Sequence, residues 1–220
     1  MIAVAIDGPA GAGKSTIAKA VAKKLGFLYV DTGALYRATG LKFSKLGFDT
    51  KLNCDINAVL AETEVSFKYI DGVQHVFLDG VDVSDDIRTP EASMMASAVS
   101  AKPPVRAFLL EMQRKIAREN NVIMDGRDIG TVVLPDAKIK IFLTASAEVR
   151  AKRRYKELIE KGENVKYEDV LADIKTRDYN DSHREIAPLK PAENSVYYDS
   201  SDKDLETNIN DIIAIIEERM

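Results

Sequence analysis

The chain has 220 residues, 45% of them hydrophobic and 30% charged, with a net charge of −4, which is typical of a globular protein of one core and argues against nucleic acid as its main partner. Its single cysteine, Cys54, excludes an internal disulfide and suits a reducing compartment. No apolar run approaches the roughly 20 residues that span a bilayer, and the N-terminus lacks the basic region of a signal peptide, so we expect a cytoplasmic protein without a membrane partner.

The first predicted element is a buried strand over residues 2–6, which runs into a glycine-rich segment that fits the pattern G-x-x-x-x-G-K-S. Glycines of this pattern let backbone N–H groups surround a polyphosphate, while Lys14 reaches its β and γ phosphates and Ser15 offers a hydroxyl to Mg²⁺. A helix predicted over 15–25 adds its N-terminal dipole to the anion site. The segment predicts a nucleoside triphosphate site, formed by Gly8, Pro9, Ala10, Gly11, Ala12, Gly13, Lys14, Ser15 and Thr16.

Short apolar runs farther along the chain predict a parallel sheet. Residues 122–124 and 139–143 have the pattern of buried strands, 28–30 and 196–198 are shorter candidates, and helical patterns separate most of them. This alternation predicts an α/β fold with a central parallel sheet. Ligands bind such sheets at the carboxyl ends of the strands, where this chain carries polar groups at 8–16, 31–32 and 125–128.

Residues 65–87 depart from this alternation. Apolar residues from Val65 to Tyr69 alternate with polar ones, as in a half-buried strand, and the Asp-Gly pairs at 71–72 and 79–80 are strong hairpin signals. We predict a small three-stranded antiparallel meander inserted into the α/β core. It is either a module for a second substrate or a surface hairpin without function, since loop insertions cost little stability.

The segment 145–161 is predicted to be a helix rich in cations. Arg150 and Arg154 are four residues apart and so share one face. The face is either solvated, as most charge runs are, or it meets phosphate, because the segment directly follows a predicted strand of a phosphate-binding core. The last helix, over 205–220, has one apolar face, which indicates core packing only.

Three more segments carry arginines beside strand ends or in the helices that follow them. Arg37 follows the hydroxyl of Thr32 by about one helical turn, Arg127 follows a strand, and Arg177 and Arg184 are seven residues apart, which predicts one face of one helix. Guanidinium groups suit phosphate oxygens in bidentate pairs, although a surface salt bridge could explain any one of these sets. Together they favour a kinase over a nucleotide switch or motor.

Phosphoryl transfer needs alignment and charge neutralisation more than covalent help. If the acceptor is itself a phosphate, its nucleophile is already anionic and no general base is required. The only histidines, His75 and His183, are expected at the surface, which fits such a mechanism. A GTPase-like switch would need an N-K-x-D guanine motif late in the chain, and the sequence has none.

Five segments together point to one family: IDGPAGAGKST at 6–16, DTGALYR at 31–37, DGRDIGTVVLPDA at 125–137, KIFLTAS at 140–146 and RDYNDSHREIAPL at 177–189. Many P-loop proteins share the first, whereas the others in combination are specific. Over nearly its whole length the chain resembles the bacterial cytidylate kinases, of the nucleoside monophosphate kinase group. It departs from them slightly, with Thr32 where many members carry serine and Ser15 where some carry glycine.

The resemblance implies transfer of the γ-phosphoryl group of ATP to CMP or dCMP with Mg²⁺, by a protein that we expect to be a monomer. It implies a P-loop three-layer α/β core at 1–37, 98–149 and 169–220, an inserted antiparallel β module for the monophosphate at 38–97, and a helical lid at 150–168. A kinase for another acceptor, such as UMP, AMP or shikimate, is the alternative.

The resemblance also implies residue roles. The acceptor phosphate would be held by Thr32, Arg37, Arg127 and Arg184. The sugar would meet Arg177 and Asp181, and the base would meet Ser97, Arg106 and Asp128. A carboxylate can accept from the N4 amino group of cytosine but opposes O4 of uracil, so Asp128 would favour cytosine. The candidate catalytic residues are Lys14, Arg127, Arg150 and Arg154, the last two lying with Arg153 where the family's lid begins.

Overall fold

A computed structural model describes all 220 residues, as eight strands, eight α-helices and two short turns of other helical types. In chain order the elements are β1 (Ala3–Asp7), α1 (Lys14–Leu25), β2 (Leu28–Asp31), α2 (Thr32–Lys45), α3 (Ile56–Ala61), β3 (Val65–Ile70), β4 (Val73–Leu78), β5 (Val81–Asp82), a 3₁₀ turn (Asp86–Arg88), α4 (Pro90–Ser100), α5 (Pro103–Glu119), β6 (Val122–Gly126), a π-helical turn (Ile129–Val133), β7 (Ile139–Thr144), α6 (Ala147–Glu160), α7 (Tyr167–His183), β8 (Val196–Asp199) and α8 (Leu205–Arg219). No helix combines the length and the apolar composition that crossing a bilayer requires.

The chain divides into two compact units, one of Met1–Tyr29 with Asn120–Met220 and one of Val30–Glu119. The predicted monophosphate module, 38–97, falls within the second unit, and the predicted lid, 150–168, falls within the first.

The chain forms a five-stranded sheet in the order β2-β6-β1-β7-β8, of which β6, β1, β7, β8 and the first two residues of β2 belong to the first unit. The central strand β1 pairs in parallel with β6 and β7, and β7 pairs in parallel with β8. Nearly every residue of β1, β6 and β7 is buried, which is why their sequences are continuous apolar runs rather than alternating ones. The predicted parallel sheet, including its two shorter strands, is confirmed.

Helices α1 and α8 supply the apolar cover of this sheet. Val21 of α1 and Ile212 and Ile216 of α8 are fully buried with Ile123 and Ile141 of the strands. The helix predicted after the glycine-rich segment ends at Gly26, whose backbone N–H donates to Ala22 O. The apolar face predicted for the last helix is therefore confirmed as a core face.

Helices α6 and α7 pack against each other around a separate apolar cluster. Its buried members are Ala151, Leu158, Val170 and Ile174, and Tyr155 meets Tyr167 edge to face with ring centroids 6.1 Å apart. The helix predicted over 145–161 is thus confirmed, and its apolar face lies against α7.

The second unit contains the predicted meander. Strands β3, β4 and β5 pair antiparallel in that order, and both residues of each Asp-Gly pair at 71–72 and 79–80 have positive φ, as a type I′ hairpin turn requires. The third strand is short and ends at Asp82. The rest of the unit packs α2, α4 and α5 around Leu35, Phe43, Met95 and Leu109.

Substitution of Gly40 tests the close packing of α2 on α4. A Cβ at this position would lie 2.9 Å from Met95 Cβ and 3.1 Å from Ala96 N. Alanine gains about 1 kcal/mol over glycine in a helix, but overpacking costs about 1 to 3 kcal/mol. We expect Gly40→Ala to lower the free energy of unfolding in urea by about 1 kcal/mol net.

The matched control is Ser44→Ala, at an exposed position of the same helix, which should change the free energy of unfolding by less than about 0.5 kcal/mol. A Gly40→Ala protein as stable as the parent would show that α2 and α4 are not so tightly apposed.

Candidate active site

The glycine-rich segment connects β1 to α1 and comes close to the neighbouring strand. Gly8 has φ +154, and a Cβ there would lie 1.9 Å from Leu143 O of β7, so only glycine fits. Lys14 opens α1, its side chain is 5% exposed, and its Nζ donates to Pro9 O at 2.8 Å. The local geometry therefore explains why glycine is required at position 8, and it places the Lys14 side chain against the glycine-rich segment.

Burial and charge act strongly on Lys14. Its pKa is lowered to about 7, mainly by burial and also by the positive charge of Arg127, while Asp125, Asp7 and Asp181 oppose both effects. Neighbouring negative charge favours the protonated amine, so bound phosphate would raise this pKa. A buried ammonium that lacks full charge compensation is suited to binding a polyanion.

Ser15 and Tyr29 both donate hydrogen bonds to the carboxylate of Asp125. Ser15 Oγ lies 2.8 Å from Asp125 Oδ2, and Tyr29 OH lies 2.9 Å from Asp125 Oδ1. Asp125 is 4% exposed and lies in β6, the strand next to β1. A hydroxyl and a carboxylate oxygen of this kind are ligands that Mg²⁺ prefers.

Arg150 of α6 is bound directly to the glycine-rich segment. Its side chain donates to Ala10 O at 3.0 Å and to Ala145 O at 2.8 Å, and it makes a bidentate pair with Asp178 of α7 at 2.9 and 2.5 Å. The side chain is 5% exposed. Of the two cations predicted on one face of this helix, Arg150 is therefore the one that meets the phosphate-binding backbone.

The other arginines of α6 are arranged differently. Arg154 forms an ion pair with Glu157 at 3.0 Å, in which both side chains are exposed by more than a third. Arg153 donates to Ser200 O at 2.8 Å, and the buried Ser200 Oγ donates to Ala12 O at 3.1 Å. Arg153 thus supports the glycine-rich segment through Ser200, whereas Arg154 pairs at the surface.

The end of β6 and helix α7 bring together four further predicted residues of the first unit. Arg127 Nε donates to Asp181 Oδ2 at 2.8 Å, and Arg184 Nη2 lies 3.7 Å from Asp128 Oδ1. Asp128 and Asp181 are buried. The residues form two neighbouring cation–carboxylate pairs, which can present guanidinium groups to a phosphate while keeping their own charges compensated.

Arg177 lies within helix α7, whereas Arg184 directly follows its last residue. Helix α7 ends at His183, and Arg184 is its C-cap residue with φ −63° and ψ 142°, its backbone N–H still donating to Asn180 O. The predicted spacing of two helical turns between the arginines is therefore kept. The carbonyl of Asp181 accepts from Leu189 N–H at 2.7 Å, a bond that joins the end of the helix to the loop after it. Arg177 is an exposed residue of α7, whereas the Arg184 side chain is 10% exposed.

Asp7, the last residue of β1, holds the loop that carries Asp128. Its two carboxylate oxygens accept from Ile129 N–H and Gly130 N–H, each at 2.7 Å. The pKa of Asp7 is raised to about 6, mainly because burial outweighs the two backbone hydrogen bonds that lower it, and the nearby Asp128 contributes to the rise. A carboxylate with two backbone donors is thus placed at the exact start of the glycine-rich segment.

In the second unit, the start of α2 is organised by Asp31. Its carboxylate caps the helix by accepting from Ala34 N–H at 2.9 Å and pairs with Arg37 at 2.9 Å, while Thr32 is 3% exposed. Gln74 of β4 bonds both backbone groups of Asp31: its Oε1 accepts from the N–H at 2.8 Å and its Nε2 donates to the carbonyl at 3.3 Å. The meander is therefore joined to the helix that carries Thr32 and Arg37.

The two remaining predicted residues of the second unit lie on different helices. Arg106 of α5 is 8% exposed, donates to Ser100 O at 3.3 Å, and places its guanidinium 5.8 Å from the ring centroid of Tyr36. Ser97 is a half-buried residue of α4. Both histidines lie outside these groups: His75 pairs with Asp82 on the meander, and His183 is an exposed residue that stacks on Tyr179.

Four polar residues that organise the site received no individual role from the sequence, namely Asp7, Tyr29, Asp125 and Asp178, although Asp125 belongs to the polar segment 125–128 expected at a strand end. Asp7 and Asp125 carried a usable signal, because each is an acidic residue at the carboxyl end of an apolar strand. Tyr29 and Asp178 carried none, since nothing in the sequence pairs them with their partners Asp125 and Arg150.

Comparisons with known proteins agree over nearly the full chain. The family model described as cytidylate kinase matches residues 4–218. A protein of Caldicellulosiruptor bescii named cytidylate kinase is 51% identical over 97% of this chain and 95% of its own. One of Caldanaerobacter subterraneus with the same name is 54% identical over 91% of this chain and 88% of its own.

Among solved structures, an uncharacterised protein of Eubacterium ventriosum aligns with a TM-score of 0.55 at 15% identity and covers all of both chains. At this identity the match bears on the fold alone. It supports the α/β assignment for the chain.

Substitution of Asp178 tests whether the buried Arg150 depends on its carboxylate partner. Asp178→Asn keeps the size of the side chain but leaves the Arg150 charge without an opposite charge. Because Asp178 is itself 29% exposed, solvent offsets part of the loss. We expect the free energy of unfolding in urea to fall by about 1 to 3 kcal/mol.

The matched control is Glu157→Gln, which removes the acidic partner of Arg154 and of Lys161, both more exposed than Arg150. Its effect should stay below about 0.5 kcal/mol, since exposed pairs contribute little. Equal losses in the two variants would contradict the distinction between the two arginines.

Proposed function

This chain belongs to the cytidylate kinase family, and we propose that it transfers the γ-phosphoryl group of ATP to CMP or dCMP, giving ADP and CDP or dCDP. The observation that carries the proposal is the match of residues 4–218 to the family, with relatives of that name about half identical over almost the whole chain. No observation favours UMP or AMP as the acceptor. The expected cytoplasmic location and monomeric state remain predictions.

On the donor side, we assign the triphosphate of ATP to residues 8–16. The backbone N–H groups of this segment and the start of α1 would surround the β and γ phosphates, with the Lys14 ammonium against them. Arg150 is assigned to the same phosphates because its guanidinium already lies 3.0 Å from Ala10 O. These cations would neutralise the charge that spreads over the transferring group.

The residues also fit a magnesium ion that arrives with the nucleotide. No cluster of three or more acidic, histidine or cysteine side chains could surround a metal ion by itself. Mg²⁺ usually binds few protein oxygens and keeps phosphate and water as its other ligands. Ser15 would hold the ion, and Asp125, hydrogen-bonded to Ser15 and fixed by Tyr29, would be its carboxylate partner. The ion would supply positive charge to the bridging phosphate oxygens.

On the acceptor side, we assign the phosphate of CMP to Arg127 and Arg184, and the sugar to Asp181 and Arg177. Support comes from the pairs Arg127–Asp181 and Arg184–Asp128, which hold guanidinium groups and carboxylates in one region of the first unit. By resemblance to the family's motifs, Thr32 and Arg37 are assigned to the same phosphate. Ser97 and Arg106 are assigned to the base on the same grounds. Because the acceptor oxygen is anionic, no general base is required.

We assign cytosine recognition to Asp128. A buried carboxylate accepts from the N4 amino group of cytosine, while uracil would set its O4 acceptor against the same oxygen. Opposed buried acceptors cost about 1 to 3 kcal/mol, which gives strong rejection of a close analogue.

The segment 38–97 is proposed as the monophosphate module and 150–168, with Arg150, Arg153 and Arg154, as the lid. Support for the module is the pairing of Gln74 with the Asp31 backbone at the start of α2. This contact argues against a meander without function.

The function is tested by incubating the purified protein with ATP, Mg²⁺ and each of CMP, dCMP, UMP, AMP and shikimate, followed by chromatography of the products. We expect CMP and dCMP to be the best acceptors.

Lys14→Ala, prepared in parallel, should lower turnover by about 100-fold or more, because Lys14 counters charge that develops during transfer. An unchanged rate in that variant would refute the proposed role of Lys14.

Asp128→Ala tests the base assignment. Loss of the carboxylate removes both the acceptor for cytosine N4 and the repulsion of uracil O4. The ratio of kcat/KM for CMP to that for UMP should therefore fall by about tenfold or more. An unchanged ratio, measured in a folded variant at saturating ATP, would exclude Asp128 as the residue that distinguishes the bases.

A further inference from the structure

We propose that Asp7 is a positioning residue for base recognition: its carboxylate fixes the peptide group that follows Asp128 and so orients the Asp128 side chain. The inference rests on the proposed function, because it assumes that Asp128 meets the base. Asp7 lies outside the triphosphate segment 8–16 and is not proposed to contact either substrate.

The geometry places Asp7 against the backbone that directly follows Asp128. Ile129 N–H belongs to the peptide bond between Asp128 and Ile129, and its hydrogen bond to Asp7 Oδ1 at 2.7 Å anchors that peptide plane. Gly130 N–H, on Asp7 Oδ2 at 2.7 Å, anchors the next plane. With both planes anchored, the Cα of Asp128 is held from its C-terminal side, which limits how far its side chain can move.

The backbone at Asp128 needs such support. Its φ of −148° and ψ of 27° lie outside the regular helix and strand regions, at the entrance to the π-helical turn. Asp128 O accepts from Val132 N–H at 2.9 Å and from Val133 N–H at 3.2 Å, so the turn constrains the carbonyl, and Asp7 constrains the two amides that the turn leaves unpaired.

Gly130 is the residue that this close approach requires. A Cβ there would lie 3.3 Å from Asp7 Oδ2 and 3.2 Å from Ala192 Cβ, which is tighter than ordinary contacts. A side chain at position 130 would therefore push its N–H away from Asp7. The close contact therefore depends both on the missing side chain of Gly130 and on the carboxylate of Asp7.

The position of Asp7 in the chain links the triphosphate segment to the loop of Asp128. Asp7 is the last residue of β1 and directly precedes Gly8, so one residue borders the triphosphate segment and holds the loop of Asp128. It is 3% exposed, and burying a carboxylate is costly unless it is hydrogen-bonded. Its two bonds therefore tie the donor segment and the base-reading carboxylate to one rigid point.

The test is Asp7→Asn, which preserves shape but replaces one acceptor oxygen by an NH₂ donor facing a backbone N–H. One of the two bonds must be lost. At saturating ATP we expect the ratio of kcat/KM for CMP to that for UMP to fall about tenfold, mostly through KM for CMP. Gly130→Ala, which leaves Asp7 in place, should lower the same ratio.

A double variant and a control variant test whether the effect of Asp7→Asn acts through Asp128. In an Asp128→Ala background, Asp7→Asn should leave the ratio unchanged, since the two substitutions act through one carboxylate. The control Asp204→Asn alters another carboxylate that accepts a backbone N–H, at the exposed N-cap of α8, and should leave the ratio of the parent intact.

The outcomes separate the inference from the function on which it rests. A parent protein that does not phosphorylate CMP overturns the proposed function. An active parent whose Asp7→Asn and Gly130→Ala variants lose CMP and UMP activity equally, or keep the ratio, overturns the positioning role alone. If Asp7→Asn fails to fold, the ratio in Gly130→Ala decides.

Discussion

Compensation of buried charge is the constraint on which the first unit depends. Lys14, Arg150 and Asp7 are each at least nine-tenths buried near the carboxyl ends of its strands, where an unpaired charge would cost several kcal/mol. Backbone carbonyls, backbone amides and opposite charges meet this cost for each of them. The path of the glycine-rich segment and the placement of α6 follow from these pairings, because each partner has to come within hydrogen-bonding distance.

Helix α7 connects two of these pairings. Asp178 and Asp181 lie three residues apart on one face, and they bind Arg150 of α6 and Arg127 after β6. Arg150 in turn reaches Ala10 of the glycine-rich segment. The cations proposed for the donor and for the acceptor phosphates are therefore oriented by carboxylates of a single rigid element, and a shift of α7 would move both.

Strong local patterns predicted most of the fold and part of the site. The apolar runs, the Asp-Gly turns and the glycine-rich segment each fix a local structure through few neighbouring residues, so the parallel sheet, the meander and the Lys14 site followed from them. Periodicity extended the helix by one residue at Arg184, where the backbone leaves the helix and the Asp181 carbonyl bonds Leu189 N–H of the following loop. It also treated Arg150 and Arg154 alike, although α7 buries only one of them.

By itself, the sequence determined the α/β class, the triphosphate segment and the family, because these depend on residue types at fixed short spacings. Only the tertiary structure decided which carboxylate meets which cation. Tyr29 is 96 residues from Asp125, and Asp7 is 122 residues from Ile129. Such pairs form only after the strands align in one sheet, and no local pattern encodes a hydrogen bond between residues so far apart in the chain.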